Sequence, residues 1–282
     1  MKILLLGIFF VCLNTFTGSS FDAITKYLSI NNYKWYHYYS IGGTAAIILF
    51  ILLFFTNGEI KKHLTLKNKN HFYFLILRGI SFIPVLLIVF YSLKYIPISL
   101  FATLIMTSPF FLLIFAKIIL KEKLNYISWV AILIGFCGVL IVLRPSLSNI
   151  NIFIFLVFFA VLIISFNFTI VSKYSHIATS YGFTFYQYLP ITLFAYIFFI
   201  FDPLVPSLKE FILFSSAGVL MMISMWAWNK AYHIAGKYSS IISPFFFTQI
   251  IWGSLYGIIF FSEELSSMSI MGVIIIVISG TI

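Results

Sequence analysis

Ten stretches of about twenty residues in this chain carry almost no charge, and that feature narrows the fold more than any other. They run over residues 2–22, 35–56, 72–93, 98–117, 126–143, 151–171, 181–201, 209–230, 240–261 and 267–282. A bilayer core about 30 Å thick takes about 20 apolar residues of helix to cross. Inside it every backbone N–H and C=O must be satisfied by the segment itself, which a helix does. The pattern therefore predicts an all-α membrane protein with ten transmembrane helices. Composition removes the soluble alternative. Only 9% of the residues are charged, against about 25% in a domain that must dress a water-facing surface.

The net charge of +10 does not mark a nucleic-acid binder. The lysines stand singly or in short groups between apolar runs, as lysines do when they set membrane topology. With the N-terminus cytoplasmic, twelve of the basic residues fall inside and five outside (Lys26, Lys34, Lys94, Arg144 and Lys209). Ten spans then place the C-terminus inside as well. Lys2, the apolar stretch after it and Gly18-Ser19-Ser20 resemble a secretory signal, but the stretch continues through Phe21, so retention is expected. The last run is short, and the helix is expected to continue past Ile282. Cys12 and Cys137 lie within apolar runs at no metal-binding spacing and read as packing residues.

Two halves of the chain echo each other. Phe21-Asp22-Ala23-Ile24-Thr25-Lys26-Tyr27 closes the first run, and Phe168-Thr169-Ile170-Val171-Ser172-Lys173-Tyr174 closes the sixth. Leu93 to Pro97 is echoed by Ala231 to Ala235, and Lys121-Glu122-Lys123-Leu124 by Ser262-Glu263-Glu264-Leu265. Five helices per unit, an odd number, would set the second unit upside down relative to the first. Inverted repeats that meet at the bilayer midplane are a recurrent plan of secondary transporters.

The same residues carry a family resemblance. Tyr95-Ile96-Pro97, Pro109, Lys121 to Leu124, Gly135 with Gly138, and Arg144-Pro145 resemble an EamA unit of the drug/metabolite transporter superfamily. Ser243-Pro244-Phe245, Gly253 with Gly257, and Phe261-Ser262-Glu263 resemble it again. The resemblance implies two inverted five-helix repeats, 1–145 and 146–282, termini inside, and a cavity between the units. Within the family, Asp22 to Tyr27 and the Ser-Pro-Phe segment are most similar to the S-adenosylmethionine uptake carriers.

Polar side chains within spans are costly and so are candidates for function. Asn14, Gly18 and Asp22 recur every four residues on one helix face, and Asp22 would hold a cation or amine. The bland reading of Asp22 is a pair with Lys26 at i, i+4. His37 sits among Trp35, Tyr36, Tyr38 and Tyr39, where it is either a proton-sensitive gate or part of an interfacial aromatic belt. Asn167 and Gln187 either bind solute or bond across helices. Trp226, Asn229 and His233 share a face, as do Phe245, Gln249, Trp252 and Tyr256; aromatics beside an amide suit a planar ligand, or simply pack. Thr107 and Ser108 either line the cavity or satisfy the break at Pro109. The expected substrate-binding set is Asn14, Asp22, Thr107, Asn167, Trp226, Asn229, Gln249, Trp252 and Tyr256. Gly253-Ser-Leu-Tyr-Gly257 reads as a close helix approach, and Glu122 and Glu263 as caps of the fifth and tenth helices.

Secondary transport of a small organic metabolite across an inner membrane is the expected function, with S-adenosylmethionine uptake or exchange as its specific form. Export of amino acids is the alternative within the class, and a membrane-embedded enzyme the alternative outside it. The sequence holds no HExxH, GxSxG or P-loop, so neither catalysis nor a cofactor or metal is expected. A solute and the lipid bilayer are the expected partners, and a homodimer is left open.

Overall fold

The computed structural model describes residues 2–55, 60–66, 68–121, 126–143, 151–264 and 267–281. Each of the ten apolar runs is mostly helical over its described residues. The helices are α1 (Lys2–Ile30), α2 (Trp35–Phe55), α3 (Ile60–Leu64), α4 (Lys69–Tyr95), α5 (Ile98–Ile105), α6 (Ser108–Phe115) and α7 (Tyr126–Leu143). The remainder are α8 (Ile152–Lys173), α9 (Ser180–Phe199), α10 (Leu208–Ala235), α11 (Ser239–Ile242), α12 (Thr248–Phe261) and α13 (Ser267–Thr281). Among the described residues there is no strand.

Among the described residues, seven helical segments are long and apolar enough to cross a membrane: Lys2–Ile30, Trp35–Leu53, Lys69–Tyr95, Ile98–Leu120, Ile152–Lys173, Ser180–Phe199 and Leu208–Tyr238. Their outer faces leave large apolar side chains uncovered, among them Phe9, Leu52, Leu77, Phe155, Ile197 and Phe260. Water would not tolerate so much exposed apolar surface on one molecule; lipid does. Hydroxyls within the helices return their protons to the turn before. Thr17 donates to Leu13, Thr44 to Ser40, Thr103 to Ser99 and Thr184 to Ser180, so these groups sit in an apolar setting with their donors satisfied.

The prolines act in two ways. α4 and α9 continue through Pro84 and Pro190. The fourth and ninth runs break instead. Pro109 starts α6 after a turn at Met106 and Thr107, and Pro244 lies in a 3-10 turn, Ser243–Phe247, that leads into α12. Thr107 serves the break itself, with its hydroxyl and its N–H both donating to the Leu104 carbonyl. Gly253 makes the predicted close approach: a Cβ there would stand 2.5 Å from the Ala102 Cβ on α5.

Two expectations at helix ends change. Glu263 does not cap the tenth run; it accepts from the backbone N–H groups of Ile98 and Ser99, at the start of α5. A carboxylate favours any exposed helix N-terminus, and the fold brings that of α5 within hydrogen-bonding reach. Lys26 does not pair with Asp22 but reaches Glu263, 2.7 Å away. Glu122, Lys123, Leu124, Arg144 and Pro145 lie outside the described residues.

Candidate functional site

A cavity of about 130 Å³ lies between the two halves of the chain. α1, α4 and α5 form one side; α8, α9, α10 and α12 form the other. Its polar groups are Asn14, Asp22, Gln187, Ser224 and Gln249, and its aromatic groups are Phe21, Phe82, Phe101, Phe168 and Trp228. The four-residue spacing on α1 explains the first set: Asn14, Gly18 and Asp22 all line the cavity.

Four of these five polar groups are bonded across the divide between the halves. The Asn14 amide donates to both the carbonyl and the hydroxyl of Ser224, at 2.9 and 2.8 Å. The Gln249 side-chain amide donates to Asp22 Oδ2 at 3.3 Å. Asp22 is buried and has no ion-pair partner among the described residues. A carboxyl so placed is a strong recruiter of a proton or a cation, since a lone charge in an apolar interior is costly. Trp228 stacks between Phe168 and Phe246, with centroids 4.0 Å apart on the Phe246 side, which makes a flat aromatic wall.

The predicted residues divide by location. Asn14, Asp22 and Gln249 meet at the cavity. Asn229 sits just beyond it, donating to Thr184 and to Gln187, which is itself a lining residue. Asn167 bonds Ser81 at 3.1 Å and lines a separate groove between α4 and α8. Trp226 stacks on Tyr181 and lines another pocket against α2. Trp252 meets Phe16 edge-on, and Tyr256 bonds Ser20 at 2.7 Å in a groove beside α10. Thr107 is spent at the helix break. His37 ties the start of α2 to the Asp202 carbonyl at 2.8 Å, within a cluster that includes Tyr36 and Phe199.

Two features were not expected. On α10 the cavity face is Met221, Ser224, Met225 and Trp228 rather than Trp226, Asn229 and His233. Arg78 is buried at 5% exposure, with Nη2 donating to Asn229 Oδ1 at 3.0 Å. An arginine nine residues into a long apolar helix was the available signal.

A riboflavin transporter from Vibrio cholerae serotype O1 is 30% identical over 185 residues, 65% of this chain and 61% of that protein's length. The match therefore spans less than two thirds of that relative. A solved crystal structure superposes over 100% of this chain and 95% of its own, at a TM-score of 0.73 and 12% identity; that likeness concerns the fold alone. The family model of EamA-like transporters matches residues 5–144, so the first half of this multi-pass membrane protein carries an EamA-like transporter domain.

Proposed function

We propose that this chain is a secondary carrier that moves a small organic metabolite across a bacterial inner membrane, with both termini cytoplasmic. Ten spans form two inverted five-helix repeats, 1–145 and 146–282, that rock about the central cavity and open it to each side in turn. The carrying observation is the cavity itself: polar groups from both halves converge on one site, and their bonds cross between the halves.

The packing supports the repeat. Exchanging the first five runs for the second five turns α1 against α10 into α8 against α4, and both contacts are present. It turns α2 against α10 into α9 against α4, and α1 against α12 into α8 against α6; these too are present. α2 with α9, and α7 with α13, map onto themselves. A two-fold relation between the halves has this signature.

Alternating access requires the halves to part on one face at a time. On the face that carries the α1–α2 loop they are joined by the Lys26–Glu263 pair, which this reading makes a latch. The wall of Trp228 and Phe168 favours a planar ring, and the riboflavin transporter relative supports a heterocyclic solute. Asp22 to Tyr27 and Ser243-Pro244-Phe245 support S-adenosylmethionine, which also carries a planar ring and the cation that Asp22 would take. Export of amino acids is the alternative within the class.

Counterflow in proteoliposomes separates these solutes. Labelled riboflavin, S-adenosylmethionine, amino acids, polyamines and nucleosides would each be offered against the same internal solute. Saturable uptake dependent on internal solute is expected for a planar heterocycle. Absence of saturable uptake across the whole panel would overturn the carrier reading.

A further inference from the structure

The guanidinium of Arg78 lies between α4, α9 and α10 with more donors than partners. Arginine presents five N–H groups. Nη2 donates to Asn229 Oδ1 at 3.0 Å, Nη1 reaches the Phe183 carbonyl only at 3.5 Å, and Nε is buried with no hydrogen-bond partner among the described residues. No carboxylate pairs with it there: the ion pairs among described residues are Lys26–Glu263 and His37–Asp202. A buried cation left without a counter-charge is unfavourable unless an anion comes to it.

The surroundings are arranged to present the guanidinium. The Asn229 amide donates to Thr184 Oγ1 at 3.0 Å and to Gln187 Oε1 at 3.3 Å, which fixes its oxygen toward Arg78. Phe82 and Phe183 flank the cation, with ring centroids 5.8 and 5.5 Å from Cζ. Phe82 and Gln187 also line the central cavity, so the guanidinium stands one side chain behind the proposed solute site. On its other side, Arg78, Ser81 and Asn167 border a groove of about 480 Å³ whose apolar walls include the outward-facing Leu77 and Phe166.

We propose that Arg78, held by Asn229 between Phe82 and Phe183, is the recognition site for a carboxylate on a planar organic solute. This rests on the carrier reading and adds the chemical class of its cargo. The charge count selects the class. One guanidinium neutralises a carboxylate, and its fork donates to two oxygens at once. A phosphate monoester carries about −1.5 to −2 at neutral pH, and would bring unmatched charge to a site with one cation. Flanking rings suit a flat body attached to that carboxylate.

The test needs no knowledge of the natural solute. Purified full-length protein in detergent is melted in the presence of benzoate, its neutral isostere benzamide, or inorganic phosphate. Benzoate is expected to raise the melting temperature saturably, while benzamide and phosphate leave it unmoved. Arg78→Lys keeps the charge but loses the fork, and the benzoate midpoint is expected to rise about tenfold; in Arg78→Gln the response disappears. An equal response to benzamide, or an unchanged benzoate midpoint in Arg78→Lys, overturns the proposal even if Arg78→Gln fails to fold. A larger response to phosphate than to benzoate overturns the carboxylate assignment. A charge-selective benzoate response with no counterflow of any solute defeats the carrier reading and leaves the site standing. Counterflow without a benzoate response does the reverse.

Discussion

Replacing Glu263 by Gln is expected to unlatch one face of the protein. Glu263 accepts from Lys26 Nζ at 2.7 Å, Ile98 N at 2.7 Å, Ser99 N at 3.1 Å and Ser99 Oγ at 2.7 Å. Lys26 in turn donates to the Ile96 carbonyl at 3.3 Å, so α1, the start of α5 and the segment after α12 meet at one point. The two side chains are 8% and 10% exposed. At the 2.7 Å separation and an effective dielectric near 20, their attraction is roughly 6 kcal/mol. Desolvation of both ions cancels most of that, whereas removing one partner strands the other at a cost of about 3–5 kcal/mol. Lost bonds at the α5 N-terminus add about 1 kcal/mol. If the pair forms only when this face is closed, a bias of about 4 kcal/mol is close to a thousandfold in population. Val89 lines the cavity and supplies the probe. With Cys12 and Cys137 replaced, a Val89→Cys reporter should react with an impermeant maleimide at least a hundredfold faster in the Glu263→Gln background. Equal labelling rates in the two backgrounds would refute the latch. Acid should act in the same direction. Burial raises the Glu263 carboxyl, but hydrogen bonds from Lys26, Ser99 and the Ile98 and Ser99 backbones outweigh it and hold it below its ordinary 4.5. A depressed value means the latch is at full strength above 4.5 and weakens as pH falls through the lower folded value.

Three further substitutions probe the cavity and its frame. Asp22→Asn keeps the shape and the bond to Gln249 within reach, so the protein should fold and melt as before while uptake of a cationic solute falls by tenfold or more in counterflow. Trp228→Ala removes a buried ring stacked between Phe168 and Phe246, and should cost about 3–5 kcal/mol in a denaturant titration; Trp228→Phe should keep the fold and weaken solute binding. Gly218→Val puts a side chain against the Gly42 backbone, where α10 crosses α2 with no space for a Cβ. The expected outcome is loss of the monodisperse protein in size-exclusion chromatography.

Segments were legible where a local rule decided them. Apolar length placed the runs, and four-residue spacing on α1 placed Asn14, Gly18 and Asp22 on the cavity. The choice of inward face was not local. On α10 a period of 3.6 permits a face through Trp226 and Asn229 as readily as one through Ser224 and Trp228, and packing against α1 decides between them. The stripe on α12 divides for the same reason: Gln249 reaches the cavity, while Trp252 meets Phe16 and Tyr256 meets Ser20. Lys26 and Glu263 are 237 residues apart, so no spacing could pair them. Arg78 is one of the twelve basic residues that the charge bias places inside. Its depth in α4 and the lack of an acid on the same turn were the better clues.

The cavity is too small for the solutes its walls suggest. Ligand pockets commonly enclose about 300–1,000 Å³, and this one encloses about 130 Å³. Binding must therefore come with rearrangement, and the backbone indicates where it is cheapest. Helix interiors resist bending because each residue is tied four residues back, and that ladder is interrupted in the fourth and ninth runs. Both interruptions fall at the same tripeptide, Ser108-Pro109-Phe110 and Ser243-Pro244-Phe245. Proline removes a donor and prevents the preceding turn from closing as an α-helix. Ahead of each break lies the α5 or α11 segment, and behind each lies a helix packed on the opposite half: α6 on α8, α12 on α1. Movement at these two points would swing α5 and α11 relative to the cavity without disturbing α1 against α10, or α4 against α8. The Lys26–Glu263 pair sits at the far end of α5, so under the proposed carrier cycle hinge and latch would belong to one element, and releasing the second would allow the first to turn.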